Sequence, residues 1–297
     1  MTRELPEEFV EYRARLFGLA YRLLGSAAEA EDAVQDAYLR WNAADRAAIA
    51  APGPWLAKVL TNICLNRLTS ARARREEYAG PWLPEPVLTD EPSETAEQRD
   101  SISMAFLVLL ERLTPAERAV FVLREAFSYG YREIAEVLGL SEANCRQLHH
   151  RARQRVGDRR RFDASAPVRR RVVERFLRAA EKGDLAGLES VLAADVVAWA
   201  DGGGRANAAL RPVVGAAKVG RYLAGLAARA AGMGVRLGFA EVNGEPAVLT
   251  FLDGVLLSVF VVQTDGELVH GLHVVVNPDK LTYLAAQLSQ REDVAGS

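Results

Sequence analysis

Between residues 146 and 161 the chain carries Arg146, Arg151, Arg153, Arg155, Arg159, Arg160 and Arg161, opposed only by Asp158. Asn144, Gln147 and His150 lie among them. This mixture suits a nucleic acid: guanidinium groups pair with guanine or phosphate, and Asn or Gln amides with adenine. An arginine-rich helix that merely faces solvent has the same composition, and charge alone favours that reading. The setting of the arginines favours the first. In SYGYREIAEVLGLSEANCRQLHHRARQRV, a short helix from Tyr131 to Leu138 offers Ile134, Ala135 and Leu138 to a core. Gly139-Leu140-Ser141 makes a tight turn, and Ser141 caps a second helix whose Cys145, Leu148, Ala152 and Val156 share one face. Asn144, Arg146, Gln147, His150, Arg151 and Arg153 are then left for DNA, the division of labour that a recognition helix needs.

Other reactive residue types are sparse. Asp195, Asp201, His270 and His273 are the acid–base candidates of the last third of the chain. In the strand pattern GELVHGLHVVV an offset of three puts His270 and His273 on opposite faces, so they do not converge on one pocket. No catalytic residue is assigned. Cys145 and His149 stand at i, i+4, but no further ligands lie near, and a core thiol is expected instead of a metal site. No metal or other cofactor is expected.

The elements that carry these residues change texture along the chain. Apolar positions at Phe9, Leu16, Leu19, Ala20 and Leu23, then at Ala33, Val34, Ala37, Tyr38 and Trp41, recur with helical spacing. Gly25-Ser26 and Ala51-Pro-Gly-Pro54 break the runs, and a third helix extends from Trp55 to Arg75. GPWLPEPVLTDEPSE follows, too rich in proline for a helix interior, and reads as an extended linker. Helical spacing returns from Thr95 to Arg161. After Ala166 two helices lead into strand-like runs bounded by Asn243-Gly244, Asp253-Gly254 and Asp265-Gly266, which are hairpin dipeptides. The expected result is a meandering antiparallel sheet with helices on one side, then a last helix from Pro278 to Leu288.

Composition fits this picture. A chain of 297 residues, 49% hydrophobic and 26% charged, is long enough for more than one domain and balanced like a globular protein. A net charge of −2 excludes a globally basic coat, though a local basic patch remains compatible with it. The apolar runs around Val255–Val262 and Leu272–Val276 fall short of the ~20 residues of a membrane helix. The charged MTRELPEEFVEYR start lacks an apolar signal core, and two cysteines supply no disulfide framework. A cytoplasmic protein that does not engage a membrane is expected.

At Leu113–Val156 the sequence resembles region 4 of an extracytoplasmic-function sigma factor of RNA polymerase. SAAEAEDAVQDAYLRW (Ser26–Trp41) resembles region 2.2, and PWLAKVLTNICLNRLTSARARR (Pro54–Arg75) regions 2.3 and 2.4. The resemblance implies two all-α sigma domains: region 2 over 1–78 and a region 4 helix-turn-helix over 96–163, joined by a linker over 79–95. It implies core RNA polymerase, through its β′ clamp and β flap, and promoter DNA as partners. Asp32, Gln35 and Asp36 would bind the core, with apolar contact from Tyr38 and Trp41. Asn62 would hold an unstacked base of the −10 element, with Arg67 and Arg72 on backbone phosphate and Arg74 and Arg75 beyond them. The second helix of region 4 would read the −35 element. The family often carries an apolar residue at His149 and a basic one at Leu148, an exchange that bears on which −35 bases are read.

The remaining segment, 167–290, resembles the α+β SnoaL-like, or NTF2-like, cone fold, for which a small-molecule ligand is left open. Trp82, Leu83, Pro84, Glu85 and Pro86 in the linker are similar to marks of the ECF41 group of sigma factors. So are Asp201, Gly202, Gly203, Gly204 and Arg205, and Asn277, Pro278, Asp279, Lys280 and Leu281. The group usually has Lys at the place of Arg205. Singly these are a proline linker, a glycine turn and a capped helix; jointly and in this order they imply a fused domain that regulates the sigma factor. A one-component DNA-binding regulator with a ligand-sensing cone is the competing function, and the N-terminal helical block counts against it. An enzyme of the SnoaL type would need a convergent acid–base pair.

Overall fold

Helix breakers and caps set several helical boundaries where the sequence puts them, but the third helix begins at Pro52, before Trp55, and the last runs past Leu288 to Ala295. The computed structural model describes residues 7–89, 101–157 and 164–295. The chain divides into two compact units, one of residues 1–77 with 107–159, the other of residues 78–106 with 160–297. The described part of the expected linker, residues 79–89, clusters with the C-terminal domain, and so do residues 101–106.

In the helical unit, α1 (Glu7–Leu24), α2 (Ala27–Ala43) and α3 (Pro52–Glu76) pack side by side. Ser26 caps α2 by accepting a hydrogen bond from the Glu29 amide. Phe9, Leu16, Leu19, Ala20 and Leu23 are buried, as are Ala33, Val34, Ala37, Tyr38 and Trp41. The short helix α4 (Met104–Leu110) leads to α5 (Pro115–Glu125), α6 (Tyr131–Leu138) and α7 (Glu142–Val156). A capping box starts α5: Thr114 accepts from the Glu117 amide while Glu117 accepts from that of Thr114. Within this unit α5 packs on α1 and α3. Arg118 of α5, only 2% exposed, donates to the Arg22 carbonyl at 3.1 Å and pairs with Glu111 at 2.5 Å.

The second unit is α+β: α8 (Ala166–Glu181), α9 (Leu185–Val191), β1 (Leu192–Asp201), β2 (Val213–Val214), α10 (Ala216–Ala230), β3 (Arg236–Val242), β4 (Glu245–Leu252), β5 (Val255–Thr264), β6 (Val269–Val275) and α11 (Pro278–Ala295). The sheet order is β2-β1-β6-β5-β4-β3. Asn243-Gly244 and Asp253-Gly254 turn with positive φ at both residues, the type I′ geometry expected of them. The sheet is not wholly antiparallel, however. β1 lies parallel to β6, with Trp199 opposite His273, because it joins the meander at its last strand and runs with it. Helices are not confined to one face either. Val196 and Ala198 belong to the core that α8, α9 and α10 cover. Asp201 alternates with them and points to the other face, where α11 supplies Lys280.

His270 and His273 do fall on opposite sides. His270 meets Asp265 at 2.7 Å. Burial works against the Asp265 charge, but amide donation from Leu268, His270 and amide donation from Glu267 outweigh it and bring the carboxyl down to about 2. His273 is 1% exposed and stacks on Trp199 with ring centroids 4.9 Å apart. Burial lowers its pKa from 6.5 to about 4. Between those values the unfolded chain binds a proton that the folded chain refuses. The stabilisation is thus full above pH 6.5 and is lost as pH falls toward 4, by about 3 kcal/mol in the limit. His273→Phe keeps a ring against Trp199 and should flatten this decline, read as amide-exchange protection of β6 across the same pH range. An unchanged slope in the variant would place the decline elsewhere.

Candidate nucleic-acid interface and linker clamp

The turn between α6 and α7 has the expected chemistry. Gly139 ends α6 in the left-handed conformation, φ 67°, and Ser141 accepts from the Asn144 amide at 3.2 Å. The packing seam differs from the expected one. Val137 is buried on α6 and Leu138 only half-buried. On α7 the buried residues are Cys145, His149, Ala152 and Val156, with Leu148 half-buried. An imidazole can take the core position because both ring nitrogens are partnered there: Nε2 to Glu125 Oε1 at 2.8 Å and Nδ1 to the Tyr131 hydroxyl at 2.9 Å. Asn144, Arg146, Gln147, His150, Arg151 and Arg153 are all exposed on the opposite side. Arg159, Arg160 and Arg161 lie outside the described residues.

In the N-terminal helices the expected roles separate. Asp32, Gln35 and Asn62 are exposed. Tyr38 and Trp41 are not surface contacts. Tyr38 packs edge-on against Phe9 with centroids 5.1 Å apart, and Trp41 meets Trp55 at 5.6 Å. Their helical spacing is that of a core stripe, and the core is where the hydrophobic effect puts them. Arg67 is not held out for phosphate: it pairs with Asp36 at 2.6 Å and donates to the Glu29 carbonyl at 2.9 Å. Two residues expected to serve different partners instead tie α3 to α2. The side chains of Arg72, Arg74 and Arg75 lie outside the described residues.

The three short motifs of the C-terminal unit converge. Asp201, 0% exposed at the end of β1, accepts from the Tyr78 hydroxyl on Oδ1 at 2.6 Å and from the Leu83 amide on Oδ2 at 2.7 Å. Lys280 of α11 also reaches Oδ2, at 2.7 Å, and donates to the Leu83 carbonyl. The peptide groups on both sides of Leu83 are thus held by one ion pair. The same ammonium lies 4.1 Å from the Trp82 ring centroid and 4.8 Å from that of Tyr78. Asn277 accepts from the Asp279 amide at the start of α11 and donates to the Tyr78 hydroxyl at 2.8 Å. Leu83, Pro84 and Pro86 are buried, Trp82 and Glu85 half-buried. Arg205 and Asp279 pair at 3.3 Å on the surface, and Leu281 is buried. Gly202 is buried and Gly204 exposed. At Gly203, φ is +55°, and an added Cβ would stand 2.6 Å from the Tyr78 hydroxyl and closer still to Asn277 Nδ2.

The clamp continues past the proline run. Asn243, fully buried in the β3–β4 turn, accepts from the Val87 amide at 3.1 Å and donates to the Ile102 carbonyl at 2.8 Å. Leu88 bridges to Val242, and the Thr89 amide donates to the Glu241 carbonyl at 3.1 Å. The linker is therefore fixed by backbone pairing at the β3 end and by the ion pair at the β1 end. Tyr78, Asn243 and the 101–106 stretch were not singled out by sequence reasoning. The Asn243-Gly244 turn was legible, but nothing in the dipeptide signals that its side chain holds a distant segment.

Residues 9–74 match Sigma-70 region 2, and residues 103–156 match Sigma-70 region 4. The chain is 40% identical over 290 residues to the ECF RNA polymerase sigma factor SigJ of Mycobacterium tuberculosis, covering 93% of this chain and 92% of that protein. The chain belongs to the extracytoplasmic-function sigma factors of RNA polymerase. A second relative, the probable ECF RNA polymerase sigma factor SigI of M. tuberculosis, is 36% identical over 282 residues, 93% of this chain and 94% of that one. The crystal structure of M. tuberculosis SigJ superposes with a TM-score of 0.74 at 37% identity, covering 93% of this chain and 98% of that chain.

As a sigma factor the protein acts in promoter-specific transcription initiation, and core RNA polymerase and promoter DNA are the partners its two sigma regions imply. Sigma factors are in general not enzymes. Among the described residues, no helix is long and apolar enough to cross a membrane. The two-domain helical part with an appended α+β domain is the fold class expected of a sigma factor carrying a SnoaL-like extension.

The linker clamp of this sigma factor yields a direct test. Asp201→Ala removes the carboxylate beside the buried Lys280 ammonium and frees the Leu83 amide, a destabilising change. Amide exchange at Leu83 and Val87 should accelerate in Asp201→Ala, while exchange in α7 stays as in the parent. Slow exchange at Leu83 in the variant would show that the linker does not depend on this carboxylate.

Proposed function

We propose that the protein recruits core polymerase through the exposed Asp32 and Gln35 of α2, with the β′ clamp as the surface met, while region 4 meets the β flap. Acidic and amide groups opposed to a basic surface steer association and fix register. Asn62, exposed on α3, offers an amide to an unstacked −10 base, with Arg72 on the adjacent backbone. α7 enters the major groove at the −35 element, with Asn144, Arg146, Gln147, His150, Arg151 and Arg153 on its DNA face. The single observation that carries this reading is the division of α7, apolar and paired behind, amide and guanidinium in front. Two sigma regions in one chain argue against a one-component regulator, which has no use for the first of them.

The fused domain, in this reading, regulates the sigma factor by holding its linker. Regions 2 and 4 must span two promoter elements, so a domain that fixes the chain between them biases which arrangements are populated. The α+β domain also has a cavity of 280 Å³ between α8, α10 and the sheet, lined by Phe176, Leu223, Leu226, Leu237 and Phe260 among others. A small apolar ligand there is the remaining possible partner. The protein works in the cytoplasm, without a membrane partner or a catalytic role.

Run-off transcription with purified core polymerase tests the function: the protein should support promoter-dependent transcripts, and DNA binding without transcripts would return the one-component reading. Asn62→Ala should weaken permanganate-detected opening of the −10 region more than it weakens polymerase binding. Equal opening would remove Asn62 from the DNA contact. Arg146→Ala and Gln147→Ala should each relax −35 selectivity, with ~1–3 kcal/mol lost per bidentate contact. Competition between parental and altered −35 sequences measures this directly; undiminished discrimination would leave both side chains merely in solvent.

A further inference from the structure

We propose that His149, on the hidden side of α7, is a positioning residue for −35 selectivity, acting through Tyr131 on Arg146. The inference rests on the reading of α7 as the helix that meets the −35 element, and goes beyond it by naming what aims one of its guanidinium groups. The imidazole sits where helical spacing calls for an apolar residue, 8% exposed between α5 and α6. Its Nε2 faces Glu125 Oε1 at 2.8 Å. An ionised carboxylate only accepts, so Nε2 carries the proton, and in the neutral ring Nδ1 then accepts from the Tyr131 hydroxyl at 2.9 Å. This tautomer is assigned from the partners.

Tyr131 is thereby held at its oxygen. Its ring is a platform for two cations: the Arg146 guanidinium carbon lies 5.2 Å from the centroid and that of Arg124 5.0 Å. Arg124 is itself fixed by donation to the Tyr129 carbonyl at 2.9 Å. Arg146 also pairs with the half-buried Glu142 at 2.8 Å, on its own helix. The path from Glu125 through His149 and Tyr131 to Arg146 thus joins all three helices of the motif. A guanidinium stacked on a fixed ring is already oriented for a planar, two-point contact with a base edge. A phosphate contact has no comparable need of orientation. Loosening Tyr131 should therefore cost discrimination between bases and leave overall DNA attraction nearly as it was.

The experiment uses the full chain with core polymerase and a promoter library randomised across the −35 element with the −10 element fixed. His149→Leu fills the same core position but offers Tyr131 no acceptor. Tyr131→Phe keeps the ring and removes only the hydroxyl, so it decides the matter if His149→Leu does not fold. Both should lower the preference at one and the same −35 position by ~3–10-fold, in the lower part of the coupling seen between residues in contact. His149→Gln, whose amide oxygen can still accept the phenol proton, should recover part of the loss. In an Arg146→Ala background, neither His149→Leu nor Tyr131→Phe should lower the preference further. Parental profiles in both single variants, or equal losses in the Arg146→Ala background, overturn the inference while leaving the reading of α7 intact. A parental profile in Arg146→Ala alone refutes base contact by Arg146, and the inference falls with it.

Discussion

A carboxylate with no exposure to water, Asp201, and an ammonium buried beside it set the terms for the C-terminal half of the molecule. Taking two charges out of water is costly, and their mutual attraction compensates only when the remaining lone pairs and protons find partners too. Here the linker supplies them: a tyrosine hydroxyl, a peptide N–H, a peptide C=O and the faces of two aromatic rings. Removing the linker would leave both charges half-satisfied in a low-dielectric site. The ion pair is therefore stable in this form only with the linker seated, and residues 78–89 are part of the domain's interior chemistry.

This dependence makes the prolines intelligible. Pro81, Pro84 and Pro86 have no N–H groups, so the run presents few donors that need partners. Of the donors it keeps, Leu83 N–H goes to Asp201 and Val87 N–H to Asn243. A segment stiffened by three prolines loses less conformational entropy when it docks, so fewer well-placed groups suffice to hold it.

Much of the fold was legible because it rests on local rules. Gly139 and Ser141 end and start helices by their own backbone preferences, and Asn243-Gly244 and Asp253-Gly254 turn by theirs. The motifs around Trp82, Asp201 and Asn277 were legible as a set, although spacing alone could not say that they touch. What escaped depends on partners distant in sequence. Parallel pairing of β1 with β6 follows from where β1 joins the sheet, not from its alternation. The burial of His149 in place of Leu148 follows from Glu125 and Tyr131, which no periodicity along α7 reveals.

Residue type proved a weaker guide than available partners. Arg67, Arg118 and His149 all have the side chains of a nucleic-acid interface. Yet Arg67 bridges helices through Asp36, Arg118 is buried against the Arg22 carbonyl and Glu111, and His149 is sealed behind α7. Each satisfies polar groups of the helical unit that would otherwise lack these contacts. Asp32 and Gln35 stand out on the helix that Asp36 ties to α3, and Asn144 and Gln147 on the helix that His149 ties to α5 and α6. An interface that must tell one base from another needs both kinds: exposed groups that make the contact, and buried polar groups that limit the directions from which it can be made.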